Sequence, residues 1–402
     1  MIDTTRIRRL LDERKPGYTL PQAFYVDPEI FEFDLEAIHA RSWMLAGFEV
    51  EVPDPGSTLA LSIGRTPIVV VRGRDTRVRT FYNICRHRGS QVCAPGRTRR
   101  PRLVCPYHQW AYDLQGRLVH ATRMAVDFDP SEHGLRPIRT ETVAGAIYVC
   151  LAEDPPDFAP FRASVEPLLA PHRLADAKLA VETTLVERGN WKLAMENARE
   201  CYHCPARHPE LCVTFPVDGW RSSESGVDDA LPKFAARMQE ADLPVGPADG
   251  PWWQAARFPL ANGAVSLSMD GKPNVKKRMV EAGGGDIGSM RLAIEPHVFA
   301  HATGDSFFIF SANPTAAEET IVTSKWFVHK DAVEGTDYTI DDLTKLWTIT
   351  NLQDRDLVEN NQRGVNGRGF VPGPYAPESE SLVLRFVDWY CKKALSHLEA
   401  NV

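Results

Sequence analysis

The chain has 402 residues, 43% hydrophobic and 25% charged, the make-up of a globular protein of two or three domains. Its formal net charge of −7 argues against a general nucleic-acid binder. Eight cysteines over this length are too dilute for a disulfide scaffold.

The basic N-terminus is followed by no apolar signal core, and the longest apolar stretch, 144–152, is far too short to span a bilayer. The expectation is a cytoplasmic protein without a membrane anchor, with free or metal-bound thiols. Residues 1–45 read as mostly helical, with Ile30, Phe33, Leu35, Ile38 and Trp43 available for packing on the larger domain. From about Gly56 the apolar period becomes two: Leu59, Leu61 and Ile63 alternate with Ala60, Ser62 and Gly64. Ile68 to Val71, a Gly73-Arg74-Asp75 turn, Val78 to Tyr82, a Gln115-Gly116 turn and Ala146 to Leu151 continue the pattern. They predict a small β-domain over 46–152. Asp154-Pro155-Pro156-Asp157 reads as the linker to a domain over 156–402. There, 189–203 has helical period, 217–290 looks loop-heavy, and Ser306 to Ser311 and Glu319 to His329 read as strands. Helices over roughly 339–363 and 378–400 close the chain. Runs of strands with helices around them predict an α+β fold with an antiparallel sheet.

Two clusters carry the chemistry. Cys85-Arg86-His87 is followed, after 17 residues, by Cys105-Pro106-Tyr107-His108. Zinc accepts two Cys and two His, but a zinc finger keeps its Cys pair together and places its His pair on a helix. Here each half is mixed, in a β-rich setting with Gly89, Gly96 and Gly116. That favours a Rieske [2Fe–2S] cluster, with Cys on one iron and His on the other. Cys93, between the halves, reads as a buried thiol.

The second cluster lies in Asn190 to Pro209. At ~100° per residue, Trp191, Met195, Ala198 and Tyr202 form an apolar stripe, with Glu196, Glu200 and His203 opposite. A solvated polar face is the ordinary reading. However, Pro205 can break the helix and let His208 converge with His203. Two histidines and a carboxylate make the facial triad of non-haem Fe(II) oxygenases. Asp354 falls within the apolar stripe Leu343, Leu346, Trp347, Thr350, Leu357 and Val358 of a later helix. A buried carboxylate there needs a partner or a metal. Capping or bonding a neighbouring element remains the alternative on this argument. Cys201 and Cys204 read as an incidental pair rather than a redox pair, and Pro205 excludes a c-type haem motif.

Cys85-Arg86-His87-Arg88-Gly89 and Cys105-Pro106-Tyr107-His108-Gln109-Trp110 resemble the Rieske signature of the Rieske non-haem iron oxygenases. Glu200, His203 and His208, with the region of Gln353, Asp354 and Glu359, resemble the same family's iron motif. Glu200, where many members have Asp, together with Glu196-Asn197 and Glu200-Cys201-Tyr202-His203-Cys204, looks like the branch acting on quaternary ammonium compounds. The resemblance implies an all-β Rieske domain plus a helix-grip catalytic domain. It implies a cluster on Cys85, His87, Cys105 and His108 and a mononuclear Fe(II) on His203, His208 and Asp354. It implies O₂ as co-substrate, electrons from NAD(P)H through a flavin or ferredoxin-type reductase, and a homotrimer. In that trimer Glu200 bridges the cluster of one subunit to the iron of the next. The implied reaction hydroxylates an N-methyl group of a betaine-like substrate and releases formaldehyde. Aromatic faces attract such cations, which makes Tyr202, Trp220, Trp252, Trp253, Phe308 and Phe310 cage candidates. Oxidation of an aromatic ring or an O-methyl group is the alternative within the class. A Rieske electron-transfer protein would leave the second cluster idle, and a zinc-stabilised binding module would be colourless.

Overall fold

The computed structural model describes residues 2–216 and 230–400. It divides into two compact units, His39–Phe158 and Met1–Ile38 with Ala159–Val402. Among the described residues, no helix is long and apolar enough to cross a membrane.

The N-terminal segment holds α1 (Thr4–Asp12), α2 (Ala23–Val26) and α3 (Pro28–Asp34). Asp3 caps α1 by accepting the Arg6 N–H at 2.9 Å. Asp27 caps α3, and Pro28 takes the first turn, where its missing N–H leaves no bond unmade.

The unit His39–Phe158 is built of β1 (Met44–Phe48), β2 (Ser57–Ile63), β3 (Thr66–Arg72), β4 (Val78–Tyr82) and β5 (Gly96–Arg99), then β6 (Leu103–Val104), β7 (Ala111–Tyr112), β8 (Leu118–His120), β9 (Pro137–Val143) and β10 (Ala146–Cys150). A seven-stranded sheet runs β1-β10-β9-β4-β3-β2-β5, and a three-stranded sheet runs β6-β7-β8. Ile68 to Val71 is an unbroken apolar run because β3 is buried on both faces. Val69 and Val71 pack with Cys85, Cys105 and Trp110, while Ile68 and Val70 pack with Ile147 and Val149. Gly116 is required at its turn: its φ is +83°, and a Cβ there would lie 2.5 Å from the Phe81 ring.

The larger unit continues with α4 (Ala159–Leu169), β11 (Lys178–Glu187), α5 (Trp191–Asn197), α6 (Cys204–Arg207), α7 (Ala230–Glu240), β12 (Trp253–Phe258), β13 (Ser289–Ile294), β14 (Val298–Ala302), β15 (Ser306–Ala316), β16 (Glu319–Val328), α8 (Ile340–Val365) and α9 (Ser381–Ala400). Six strands form one antiparallel sheet, β11-β16-β15-β14-β13-β12. The α+β class and the antiparallel sheet follow the sequence pattern. The described part of the loop-heavy stretch is mostly loop and carries α7 and β12, which gains its strand identity from pairing with β13 rather than from its own period. One local expectation fails. The helical period over 189–203 yields a helix only to Asn197. Glu200 and His203 lie in the turns beyond it, so Pro205 opens the short α6 instead of breaking a long helix.

Buried polar groups tie the N-terminal segment to this unit. Asp34 accepts hydrogen bonds from the Trp191 indole at 3.1 Å and the Tyr390 hydroxyl at 2.6 Å, and pairs with the fully buried Lys192. Glu196 is also buried, against its expected polar face, and accepts from the Tyr25 and Tyr375 hydroxyls at 2.9 and 3.0 Å. Burial raises its carboxyl to about 7 from 4.5, although both tyrosines and Lys192 oppose the rise. A raised carboxyl stabilises the fold below its unfolded pKa and loses that contribution as pH climbs through its folded pKa. Relative to Glu196→Gln, the wild-type melting temperature should therefore fall between about pH 4.5 and 7. A constant difference between the two melting curves over that range would remove Glu196 as the cause.

Candidate metal centres and active-site cavity

In the β-unit, Cys85 and Cys105 are buried while His87 is exposed and His108 half-buried. The two imidazole rings are 4.6 Å apart, and His87 stacks on Trp110 at 4.8 Å. The Tyr112 hydroxyl accepts the Arg86 N–H at 3.1 Å and lies 3.2 Å from Cys85 Sγ, to which its own proton can point. Burial pushes the Cys85 thiol up, and the Tyr112 hydrogen bond opposes this. Thiols inside and imidazoles outside form a donor set graded from core to surface. That suits a cluster held by Cys at its inner iron and His at its outer one.

In the larger unit, His203 and His208 bring their Nε2 atoms to 3.0 Å from each other. Asp354 Oδ1, from α8, lies 3.3 Å from His203 Nε2 and 2.9 Å from His208 Nε2. The partners of the other ring nitrogens fix the tautomers. Gln353 donates its amide N–H to Glu210 at 3.3 Å, so its Oε1 accepts the His208 Nδ1–H at 2.6 Å. The Nδ1–H of His203 is held by Glu200. In the neutral rings both Nε2 atoms then carry lone pairs, aimed at each other and at a carboxylate oxygen. Such a set is repulsive without positive charge at its centre, and its chemistry fits a divalent iron. Burial lowers the basicity of His203, yet the Asp354 and Glu200 carboxylates outweigh burial and lift it to about 9. The site attracts a cation by either measure. Glu200 also accepts the backbone N–H of Tyr202, which pins its carboxylate against the turn.

These groups open into a cavity of about 730 Å³, its mouth included. The α8 residues Trp347, Thr350 and Asp354 line it at spacings of three and four, one helix face. Phe299 on β14 and Phe310 on β15 form the facing wall, with Arg291 on β13. Glu187 also lines it. Burial first, then the nearby Asp354 charge, raises the Glu187 carboxyl to about 8.

Of the proposed cage residues, Phe310 lines the cavity. Phe308 sits behind the wall, stacked on Trp347 at 4.4 Å. Tyr202 is 67% exposed, and Trp252 and Trp253 pack on Phe161 of α4 at 4.6 and 5.5 Å. The helix that would have placed Tyr202 on an apolar stripe has already ended, and the tryptophans belong to the β12–α4 contact. Trp220 lies outside the described residues. Sequence reasoning does not single out Phe299, Trp347 or Arg291. Trp347 was within reach, being seven residues before Asp354 on one helix face. Cys201 and Cys204, read from the sequence as an incidental pair, are joined by a disulfide across the turn with Cα atoms 4.9 Å apart.

Comparison with known proteins bears on the assembly as a whole. Residues 42–132 match the family model of the Rieske [2Fe-2S] domain, and residues 174–395 match that of the ring hydroxylating alpha subunit (catalytic domain). The chain is 43% identical to the glycine betaine monooxygenase oxygenase subunit of Pseudomonas aeruginosa (strain UCBPP-PA14), over 97% of this chain and 92% of that one. It is 34% identical to the carnitine monooxygenase oxygenase subunit of Escherichia coli (strain K12), over 50% of this chain and 55% of that one. Its fold resembles the crystal structure of a quaternary ammonium Rieske monooxygenase in complex with L-carnitine, at 22% identity and a TM-score of 0.73, covering 96% and 98% of the two chains. With the β-unit's mixed Cys and His donors and the larger unit's two-His, one-carboxylate centre both present, this chain belongs to the Rieske non-haem iron oxygenase alpha subunits.

Proposed function

We propose that the chain is the oxygenase component of a monooxygenase that removes an N-methyl group from a quaternary ammonium compound, glycine betaine foremost. The observation that carries this reading is the convergence of His203, His208 and Asp354 at the end of a cavity walled by aromatic faces. The relatives named above act on betaine and on carnitine, and they support the same substrate class.

Cys85, His87, Cys105 and His108 would hold the [2Fe–2S] cluster, and His203, His208 and Asp354 the mononuclear iron. When bound, these groups supply electron transfer and the activation of O₂. The chain's own residues do the rest. Glu200 and Gln353 hold the Nδ1–H groups, so both Nε2 lone pairs face inward. A quaternary nitrogen has neither a lone pair nor an N–H, so hydrogen bonding cannot recognise it. The faces of Phe299, Phe310 and Trp347 can, through their quadrupoles. Oxidation then falls on the methyl carbon. One oxygen atom enters a C–H bond, and the other leaves as water with reductase electrons. In the resulting carbinolamine the hydroxyl proton is lost, the C–N bond breaks, and nitrogen keeps the electron pair. Formaldehyde and a tertiary amine result.

The reading includes a cytoplasmic homotrimer served by a flavin or ferredoxin-type reductase. Turnover with a general reductase, O₂ and a panel of betaines and aromatic acids tests it. One formaldehyde per betaine consumed is expected. Formaldehyde or hydroxylated product from the aromatic compounds alone would overturn the substrate class. Within this scheme Gln353→Leu frees the His208 ring and should weaken iron retention roughly 10- to 100-fold. Iron content after a chelator challenge measures it, with the cluster spectrum unchanged. Full iron retention would reassign Gln353 to packing alone.

A further inference from the structure

We propose that Glu187 is the counter-charge for the substrate's ammonium group, so that the cavity selects a cationic trimethylammonium head over a neutral head of the same shape. The inference rests on the quaternary ammonium reading above and names a residue that reads the charge.

Strand register places Glu187. It is the last residue of β11 and pairs with Thr320 on β16. Two residues earlier, Leu185 pairs with Val322, and Val322 pairs with Ala312 on β15. Phe310 is two residues before Ala312, and it pairs with Phe299 on β14. Cross-strand partners share a face, and so do residues two apart on one strand. Glu187, Val322, Phe310 and Phe299 therefore lie on one side of the sheet, and all four line the cavity that holds the iron-ligand set. Glu187 is 4% exposed. Its Oε2 is buried and has no hydrogen-bond partner among the described residues. A buried polar atom left unpaired in this way calls for a partner the chain does not supply.

The charges around Glu187 come from α8. Asp354 and Glu359 repel its negative form, and Arg355 opposes them. Arg355 is turned to Asp356 at 2.9 Å, and Glu359 accepts the Arg188 backbone N–H at 3.1 Å. Burial, followed by the two like charges, lifts the Glu187 carboxyl to about 8. A cation in the cavity reverses that balance, because an opposite charge nearby favours the ionised carboxyl. A quaternary ammonium group cannot donate a hydrogen bond. What it offers Glu187 is charge, which acts across the intervening methyl groups. The aromatic wall and Glu187 thus read different properties. Phe299 and Phe310 also gain from apolar contact with the methyl groups of a neutral head. Glu187 gains from the charge alone. The carboxylate of a betaine is repelled by Glu187 and Asp354, so the N-methyl end is the one held beside the iron ligands.

The test compares wild type, Glu187→Gln and Glu187→Asp, each with its cluster spectrum and iron content verified. Glycine betaine and the tert-butylacetate anion, in which carbon replaces the quaternary nitrogen, are titrated calorimetrically into the oxidised protein. Formaldehyde from glycine betaine is followed in turnover. Wild type should bind glycine betaine more tightly than its carbon analogue. Glu187→Gln should weaken glycine betaine by about 10- to 100-fold in Kd and KM, the worth of a partly buried charge attraction. The carbon analogue should bind the Gln variant at least as well as wild type. The ratio of the two affinities should therefore fall at least tenfold, and Asp, which keeps the charge, should restore part of it. If the Gln variant loses iron, the Asp variant carries the test, with a smaller loss confined to glycine betaine expected. Equal losses for the two ligands, or an unchanged Kd for glycine betaine, overturn the role of Glu187 while formaldehyde release leaves the quaternary ammonium reading standing. Wild type that neither binds nor demethylates glycine betaine overturns that reading itself, and the counter-charge with it.

Discussion

Glu200→Gln should retain iron and the cluster spectrum yet lose turnover by at least about a hundredfold, a barrier increase near 2.7 kcal/mol. The Glu200 carboxylate serves two sides. One oxygen holds the His203 Nδ1–H, and the other accepts the Tyr202 backbone N–H. A glutamine keeps an oxygen for His203, so the ring stays oriented and the iron stays bound. It loses the negative charge. In the proposed trimer that charge draws the neighbouring subunit's His108 and links the two centres. The deficit should appear as slow reoxidation of the reduced cluster when O₂ and substrate are added together, measured by stopped-flow absorbance. Glu200→Ala should differ. It frees the His203 ring, and iron retention should drop roughly 10- to 100-fold as well. On sequence alone the two variants look equivalent, both keeping their metals. Normal cluster reoxidation in the Gln variant would end the bridging role.

Asp34→Ala should destabilise the larger unit by about 3–5 kcal/mol, because it strands the buried Lys192 ammonium. Burial already pulls the Lys192 pKa down, and the Asp34 charge is what opposes this. The same change removes the acceptor for the Trp191 indole and the Tyr390 hydroxyl, which joins α3, α5 and α9 at one point. Unfolding midpoints in urea, read with the slope, give the loss. The double variant Asp34→Leu with Lys192→Met should recover most of it, since replacing both charges by apolar side chains leaves no buried ion unpaired. A single variant within about 1 kcal/mol of wild type would show that Lys192 finds another partner or loses its proton at little cost.

The two metal motifs were legible because ligand chemistry is local. Cys85, His87, Cys105 and His108 announce themselves by residue type and spacing, and His203 and His208 do so nearly as well. Asp354 was legible for a different reason: a carboxylate on an apolar helix stripe demands an explanation. The α+β class followed from the alternation of strand and helix periods. Helix limits near Asn197 were not legible, because the period of 189–203 continues past the point where the Cys201–Cys204 turn takes over. Nor was the burial of Glu196, whose acceptance of two tyrosine hydroxyls depends on Tyr25 and Tyr375 arriving from distant segments.

By itself the sequence pointed to the metal centres, the reaction class and the residues proposed to hold the metals, since these depend on short motifs and on the donor preferences of iron. The tertiary structure alone decided what walls the cavity. Arg291, Phe299 and Phe310 come from three strands, and only strand register sets them side by side. A period of two says which residues share a face of one strand. It says nothing of which strand lies next to it, and the cavity wall is made of neighbours across strands.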